Sequence, residues 1–128
     1  MELIESLNFE KAGGLVTAIA VDDATGEILM VAFMNPEAFR KTLETGEVVY
    51  FSRSRNCLWH KGEESGNTQL VKSLFIDCDG DVVMLRVEQR GGAACHTGRR
   101  SCFYRKLEDG GWVDVGVKVF DPKEIYGS

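Results

Sequence analysis

The segment DCDGD at residues 77–81 places three carboxylates and one thiol within five positions, directly after the apolar run LVKSLFI. If the backbone stays extended there, Asp77, Asp79 and Asp81 lie on one side and Cys78 on the other. Carboxylate oxygens suit magnesium or calcium, whereas thiolate suits zinc. Because crowded carboxylates repel one another, we expect a cation or a basic group beside them. The alternative is an ordinary tight turn with solvated carboxylates, since Asp and Gly are common turn residues.

Two more thiols, Cys95 and Cys102, lie in a loop rich in Gly, Thr, Arg and Ser, and His96 follows the first of them. Their spacing is wider than that of most structural zinc motifs, so it is a weak signal taken alone. Their polar setting favours a ligand role, and the neighbouring arginines are expected to lower thiol pKa values. With Cys78 they make three candidate thiolates, which matches a catalytic zinc with an open fourth position. An inert buried cysteine is the alternative for each.

Two other metal motifs are weaker. Cys57 and His60 form a Cys-x-x-His pair, but no further ligands lie near it in the sequence. The aspartate spacing at residues 77–81 imitates the start of an EF-hand loop, but Val82 stands where that loop requires Gly. We therefore expect neither motif to hold a metal.

The segment SRSRNCLWHKGEESGN at residues 52–67 carries basic and polar side chains suited to gripping phosphate. Residues 51–106 hold 10 basic and 6 acidic groups, although the whole chain has a net charge of −5. A local basic excess in an acidic chain favours a small anionic ligand over nucleic acid. A solvated charged loop with a tryptophan core anchor is the alternative. The candidate phosphate or substrate ligands are Arg53, Arg55, Trp59, Lys61, Ser65 and Asn67.

The length of 128 residues, with 44% hydrophobic residues, predicts one globular domain spanning 1–128. The N-terminus carries Glu2 and Glu5 where a signal peptide needs basic residues, and no apolar run is long enough to span a membrane. We therefore expect a cytoplasmic protein with reduced cysteines and no membrane partner.

The predicted elements are mostly antiparallel strands. Apolar runs flanking ATG, and others flanking the turn at Gly80, predict two hairpins. Asn35 as a cap, Pro36 at the first position and Gly46 as terminator predict a helix. Residues 55–67 are predicted to form a long loop, residues 102–107 and 112–115 two strands, and the closing DPKEIYGS a helical turn. The expected class is α+β, mainly antiparallel and barrel-like or two-sheet, with one or two capping helices.

In their order along the chain, GEILMVAFMN, TGEVVYFSRSRNCLWHKGEESGN, DCDGD and ACHTGRRSCFY resemble the successive signatures of the phosphoribosyl-AMP cyclohydrolase family of histidine biosynthesis. The resemblance covers nearly the whole chain. It fits the single-activity form, without the pyrophosphohydrolase domain that is fused to some members.

The resemblance implies hydrolysis of the N1–C6 bond of N1-phosphoribosyl-AMP by zinc-bound hydroxide. It implies a zinc site of Cys78, Cys95 and Cys102, and magnesium carboxylates at residues 77, 79 and 81. It also implies an intertwined homodimer whose zinc takes Cys78 from one chain and the other two thiols from its partner. Because three thiolates weaken the acidifying effect of zinc on water, we assign His96 as a catalytic base.

Two alternatives come from other classes. A nucleobase deaminase attacks the same carbon but releases ammonia, and its His-x-Glu and Pro-Cys-x-x-Cys strings do not occur in the sequence. A zinc-stabilised binding module would instead have a closed four-ligand site without water.

Overall fold

The fold begins with a hairpin that supplies the centre of the hydrophobic core. The computed structural model describes residues 3–63, 65–95 and 97–119. Two short 3-10 turns, Leu3–Ser6 and Glu10–Ala12, precede strands β1 (Val16–Asp22) and β2 (Ile28–Met34). The two strands pair antiparallel, as predicted. Alternate β1 residues are fully buried, which is the period of two expected for a strand with one face on the core.

The predicted helix is confirmed together with its caps. Helix α1 spans Pro36–Thr45, and the Asn35 side chain accepts a hydrogen bond from the backbone N–H of Ala38 at 2.8 Å. Gly46 ends it in the left-handed conformation, with φ 75°, and its N–H donates to the carbonyl of Thr42 at 3.0 Å. The side chains Ala38, Phe39 and Thr42 are buried on the core side of the helix.

The segment predicted as a long loop contains a strand. Strand β3 (Val49–Ser52) pairs antiparallel with β4 (Cys57–His60), so the continuous loop predicted over residues 55–67 is wrong in its first half. The strand is short, and its side chains alternate between exposed and half-buried. The strand has only four residues among Asn, Gly and charged neighbours, so its sequence signal is weak, and its register comes from pairing with β3.

The second predicted hairpin is confirmed. Strands β5 (Gln69–Ile76) and β6 (Val82–Gln89) pair antiparallel, and β6 also pairs parallel with β1. The sheet order is β2-β1-β6-β5. Residues 77–81 connect β5 to β6 and are called the acidic tip. This arrangement puts the acidic tip at the same end of the sheet as the start of β1, where the Thr17 N–H donates to the Asp81 carbonyl at 3.0 Å.

After a 3-10 turn at Arg90–Gly92, strands β7 (Arg105–Glu108) and β8 (Gly111–Asp114) form an exposed two-stranded ribbon. The α+β, mainly antiparallel class is confirmed, but a barrel-like closure is wrong for the described residues. The edge of β2 is covered by a loop instead of a strand: the Cys102 N–H donates to the Leu29 carbonyl at 2.7 Å.

The predicted final helical turn lies outside the described residues. No helix within the described ranges is long and apolar enough to cross a membrane.

Candidate metal centre

The loop between β6 and β7 brings two of the predicted zinc ligands together. The Cys95 N–H donates to the Arg99 carbonyl at 3.1 Å, and the Gly98 N–H donates back to the Cys95 carbonyl at 3.0 Å, which closes a tight turn. The backbone of Cys102 is anchored on Leu29 of β2. These bonds place the two thiols near each other, and Cys95 Sγ lies 3.0 Å from Thr97 Oγ1. Cys95 is buried, and Cys102 faces the open side.

The electrostatics of this thiol pair differ from expectation. Desolvation, together with the charge and a hydrogen bond of the neighbouring Cys95, raises the pKa of Cys102 to about 12. The arginines expected to lower thiol pKa values are engaged elsewhere: the Arg99 guanidinium pairs with Asp114, and Arg100 pairs with Glu27 at 2.9 Å. That expectation is therefore wrong for Cys102. A thiol whose ionisation is disfavoured without a counter-charge, next to a second thiol, is suited to a divalent cation, which favours the thiolate form.

The acidic tip holds the remaining predicted ligands, and it is a turn. The Gly80 N–H donates to the Asp77 carbonyl at 3.2 Å, so the segment is not extended as assumed. Asp77 Oδ1 accepts from the N–H groups of Asp81 and Val82 at 3.1 and 3.2 Å. Gly80 has φ 76°, and a Cβ there would lie 2.7 Å from the Ser6 carbonyl oxygen. The turn thus requires glycine.

The positive group expected beside the carboxylates is Lys11. Its Nζ lies 2.8 Å from Asp79 Oδ2 and 3.1 Å from Asp81 Oδ2. The Lys11 hydrogen bond holds the pKa of Asp79 below its ordinary value. Asp79 also accepts from the Cys78 thiol at 3.1 Å, and this bond raises the pKa of that thiol. Cys78 therefore lies beside a carboxylate and does not face away from it.

Three-donor metal clusters are absent from the part of the chain that the structure describes. Cys95 and Cys102 are together, whereas Cys78 stays with the acidic tip. Within one chain the three proposed zinc donors are therefore divided between two regions. His96, the predicted catalytic base, lies outside the described residues. In the competing pair, Cys57 is exposed and His60 Nε2 lies 2.8 Å from Glu47 Oε1, which gives the imidazole a structural partner.

The predicted phosphate ligands differ in how exposed their side chains are. Arg53 and Arg55 are exposed, and the Arg53 guanidinium lies 4.0 Å above the ring of Phe33. Trp59 is 38% exposed and stacks obliquely on buried Tyr50, with ring centroids 5.5 Å apart. Lys61, in contrast, is buried. The structure therefore leaves two guanidinium groups and part of the Trp59 side chain exposed to a ligand, whereas Lys61 is buried.

The last two predicted ligands, Ser65 and Asn67, shape the loop after β4. The Asn67 N–H donates to Ser65 Oγ at 3.2 Å, and Asn67 is buried. A Cβ at Gly91 would lie 1.8 Å from Asn67 Oδ1, so the asparagine fits against a position that only glycine can occupy. Both residues have local packing roles that the sequence did not reveal.

A buried polar network was missed by sequence reasoning. The Tyr50 hydroxyl donates to Gln69 Oε1 at 2.6 Å, and Gln69 Nε2 donates to Gln89 Oε1 at 2.8 Å. Gln89 Nε2 in turn donates to the Asn67 carbonyl at 2.8 Å. The two glutamines are opposite each other in the β5–β6 register. The two glutamines lie at the same end of two strands that were predicted to pair, and this was the sequence feature from which their contact could have been predicted.

The thiol pair lies beside an open cleft. The cleft has a volume of about 440 Å³ and is lined by Cys102, Phe103, Arg105 and Trp112. Arg99 connects the loop that carries Cys95 and Cys102 to the β7–β8 ribbon. Its guanidinium lies 4.1 Å from the centre of the Tyr104 ring and pairs with Asp114 on β8. The thiol of Cys102 is thus accessible from a cleft with an aromatic wall and a cationic side chain.

Comparison with known proteins identifies the class. The family model described as phosphoribosyl-AMP cyclohydrolase matches residues 30–104. A phosphoribosyl-AMP cyclohydrolase of Nitratidesulfovibrio vulgaris (strain DP4) is 62% identical over 119 residues, covering 93% of this chain and 94% of that protein. The enzyme of the same name from Nitrosomonas eutropha is 54% identical over 125 residues, covering 98% and 96%. That of Geotalea uraniireducens is 57% identical over 120 residues, covering 94% and 96%.

These are enzymes by name, and the similarity extends over almost their entire length. The chain belongs to the phosphoribosyl-AMP cyclohydrolase family.

Proposed function

We propose that this chain hydrolyses the N1–C6 bond of N1-phosphoribosyl-AMP in histidine biosynthesis, as a zinc- and magnesium-dependent enzyme of the cytoplasm. Family membership supports the substrate and the reaction. The observation that carries the metal dependence is the adjacency of the Cys95 and Cys102 thiols at the mouth of an open cleft. Alkylation at N1 leaves the adenine ring cationic and C6 electrophilic, so the enzyme has mainly to deliver a nucleophile to that carbon.

The donor chemistry fits the two metals. Cys95 and Cys102, with Cys78, would hold zinc, since neighbouring thiols are ionised together only beside a cation. Asp77, Asp79 and Asp81 would hold magnesium, a hard cation that prefers carboxylate oxygen. The Lys11 ammonium already lies on two of these carboxylates, which supports a demand for positive charge there. When bound, zinc would supply Lewis-acid activation of water.

The other residues bind and orient the substrate. Arg53 and Arg55 are exposed and are assigned to the two phosphates, because guanidinium groups bind phosphate bidentately. Trp59 offers the open part of its ring to the nucleobase. Ser65 and Asn67 hold the loop that follows it. His96 is assigned as the base that accepts a proton from the attacking water.

We also propose that the active form is a homodimer with a shared zinc site. Cys78 is exposed at a hairpin tip, and Cys102 faces an open cleft. A two-fold axis can place the tip of one chain against the thiol pair of its partner, which creates two equivalent sites. This arrangement would complete the donor set that the described part of one chain leaves divided between two regions.

The direct experiment is an assay with N1-phosphoribosyl-AMP before and after chelation. Ring opening should be visible as a change in ultraviolet absorbance, should disappear after zinc is removed and should return on adding zinc back. Free ammonia should not be released, because the ring nitrogen remains tethered to the product. Ammonia release would indicate a deaminase, and a zinc-bound protein without any ring opening would indicate a binding module.

A further inference from the structure

The buried polar network ends on the backbone of the β4–β5 loop (residues 61–63 and 65–68). Gln89 Nε2 donates to the carbonyl of Asn67 at 2.8 Å and lies 3.3 Å from the carbonyl of Thr68. The backbone supports the same junction, because the Arg90 N–H donates to the Thr68 carbonyl at 2.9 Å. The end of β6 therefore holds the end of this loop through both a side chain and the main chain.

Asn67 is closely packed where the network reaches it. A Cβ at Gly62 would lie 2.3 Å from the Asn67 carbonyl carbon, and a Cβ at Gly91 would lie 1.8 Å from Asn67 Oδ1. Only 5% of the surface of Asn67 is exposed. The position of the loop therefore depends on close contacts that leave little room for Asn67 to shift when a neighbouring bond is lost.

The other end of the network supports Trp59. Tyr50 and Trp59 are opposite each other in the β3–β4 register, and their rings are inclined at 40°. Tyr50 is fully buried and packs against the inner side of the partly exposed indole. Because the Tyr50 hydroxyl is bonded to Gln69 at 2.6 Å, the amide fixes the ring on which Trp59 packs.

The two glutamines supply direction as well as volume. Gln69 is fully buried and uses both ends of its amide: Oε1 accepts from Tyr50, and Nε2 donates to Gln89 and lies 3.4 Å from Met30 Sδ. Apolar side chains of the same size could fill this space without loss of stability. A bonded chain of amides, in contrast, specifies one relative position for the groups at its two ends.

We propose that Gln69 and Gln89 are positioning residues for substrate binding, which hold the Trp59 ring and the β4–β5 loop in a fixed relative position. This inference rests on the proposed function, because that function assigns Trp59 and this loop to the nucleotide. The bonds of the network end on binding surfaces and not on the reacting atoms. Their loss should therefore weaken ground-state and transition-state binding alike, which raises KM and leaves kcat near that of the wild type.

The first test is kinetic and uses the full-length enzyme with N1-phosphoribosyl-AMP. Gln89→Met keeps an unbranched side chain but cannot donate, and it should raise KM about tenfold with kcat within about twofold of wild type. Tyr50→Phe removes only the hydroxyl and should raise KM about threefold. The double variant should have the KM of Gln89→Met alone, because the hydroxyl acts through the amides.

Asn35→Ala is the matched control. It also removes a bond between a side chain and the backbone, at the start of α1 and outside the network. It should lower the melting temperature, because a helix cap is lost, and leave KM unchanged.

The second test needs no substrate. The sequence has two tryptophans, so Trp112→Phe leaves Trp59 as the single fluorophore. In this background, Gln89→Met and Tyr50→Phe should each increase acrylamide quenching of Trp59, whereas Asn35→Ala should not. The reason is that Trp59 loses a fixed support only when the network is broken.

An unchanged KM in Gln89→Met and Tyr50→Phe would overturn the inference, and so would a fall in kcat alone or additive effects on KM. Circular dichroism checks that each variant is folded; if Gln89→Met is not, Tyr50→Phe is judged by the same KM and quenching criteria. Wild-type protein that does not open the ring would contradict the proposed function itself. Unchanged quenching in the folded network variants would contradict only the positioning of Trp59.

Discussion

The thiol pair and the acidic tip are both candidate metal-binding regions, yet they are built in opposite ways. Cys95 is 5% exposed and lies in a loop closed by successive backbone hydrogen bonds. The tip is solvated, and the charges of Asp79 and Asp81 are compensated by an exposed lysine. A preorganised soft-ligand pair with one buried thiol favours tight and selective binding, whereas exposed carboxylates favour an exchangeable hard cation. We therefore expect zinc to be retained on purification and magnesium to be exchanged readily.

The largest expected effect comes from removing a thiol of the pair. Cys102→Ser should reduce both zinc content and turnover to background, because the two remaining thiolates cannot replace a three-ligand site. Zinc is measured by elemental analysis and turnover by ultraviolet absorbance. Cys57→Ser is the control, since that thiol is exposed at the start of β4 and is not one of the proposed ligands. Loss of zinc in the Cys57 variant would contradict the assignment of the site.

The acidic tip should respond differently. Asp79→Asn should raise the magnesium concentration needed for half-maximal activity on the order of tenfold, while zinc stays bound. The control is Asp109→Asn in the turn between β7 and β8, where φ is 49° and asparagine is well tolerated. A magnesium titration that does not change in Asp79→Asn, or zinc lost together with magnesium, would remove the distinction between the two regions.

A smaller effect is expected at Lys11. Because its ammonium occupies the carboxylates of Asp79 and Asp81, Lys11→Met should tighten magnesium binding, by at most about fivefold for an exposed ion pair. Titration calorimetry on the zinc-loaded protein measures this change. Weaker magnesium binding in the variant would show that Lys11 supports the site instead of competing for it.

The smallest effect concerns pH. Lys11 lowers the pKa of Asp79 from its ordinary value of 3.8, so the ionised carboxylate stabilises the fold above that value. This stabilisation is lost as pH falls through the lower, folded-state pKa. In magnesium-free buffer, the wild type should therefore melt slightly above Lys11→Met at pH 6, and the difference should vanish at a pH well below 3.8. A difference that persists in acid would assign the effect to packing.

Local signals predicted much of this fold. Three predicted elements depend only on residues that are close together in the sequence, and all three are confirmed: the β1–β2 hairpin, the capped helix α1 and the β5–β6 hairpin. The parallel pairing of β1 with β6 has no local signature, because the two strands lie more than 40 residues apart in the chain. Strand β4 was missed because it has only four residues among Asn, Gly and charged neighbours, and its register depends on β3.

In the candidate site, too, local features were predictable from the sequence and long-range contacts were not. A need for positive charge at residues 77–81 was predictable from carboxylate crowding, but its source, Lys11, lies 68 residues from Asp79. Residue type alone grouped Lys61 with Arg53 and Arg55, and only the packing of β4 separates them by burial. Sequence thus indicated which groups are chemically capable, while tertiary contacts decide their neighbours.

The central claim is that the three proposed zinc ligands come from two chains, and complementation tests it most directly. Cys78→Ala and Cys102→Ala should each be inactive alone. A mixed dimer would hold one doubly altered site and one intact site. With random reassortment, half the dimers are mixed and half their sites work, so activity should recover to about a quarter of wild type. No recovery, with subunit exchange verified by mass spectrometry, would contradict the shared site.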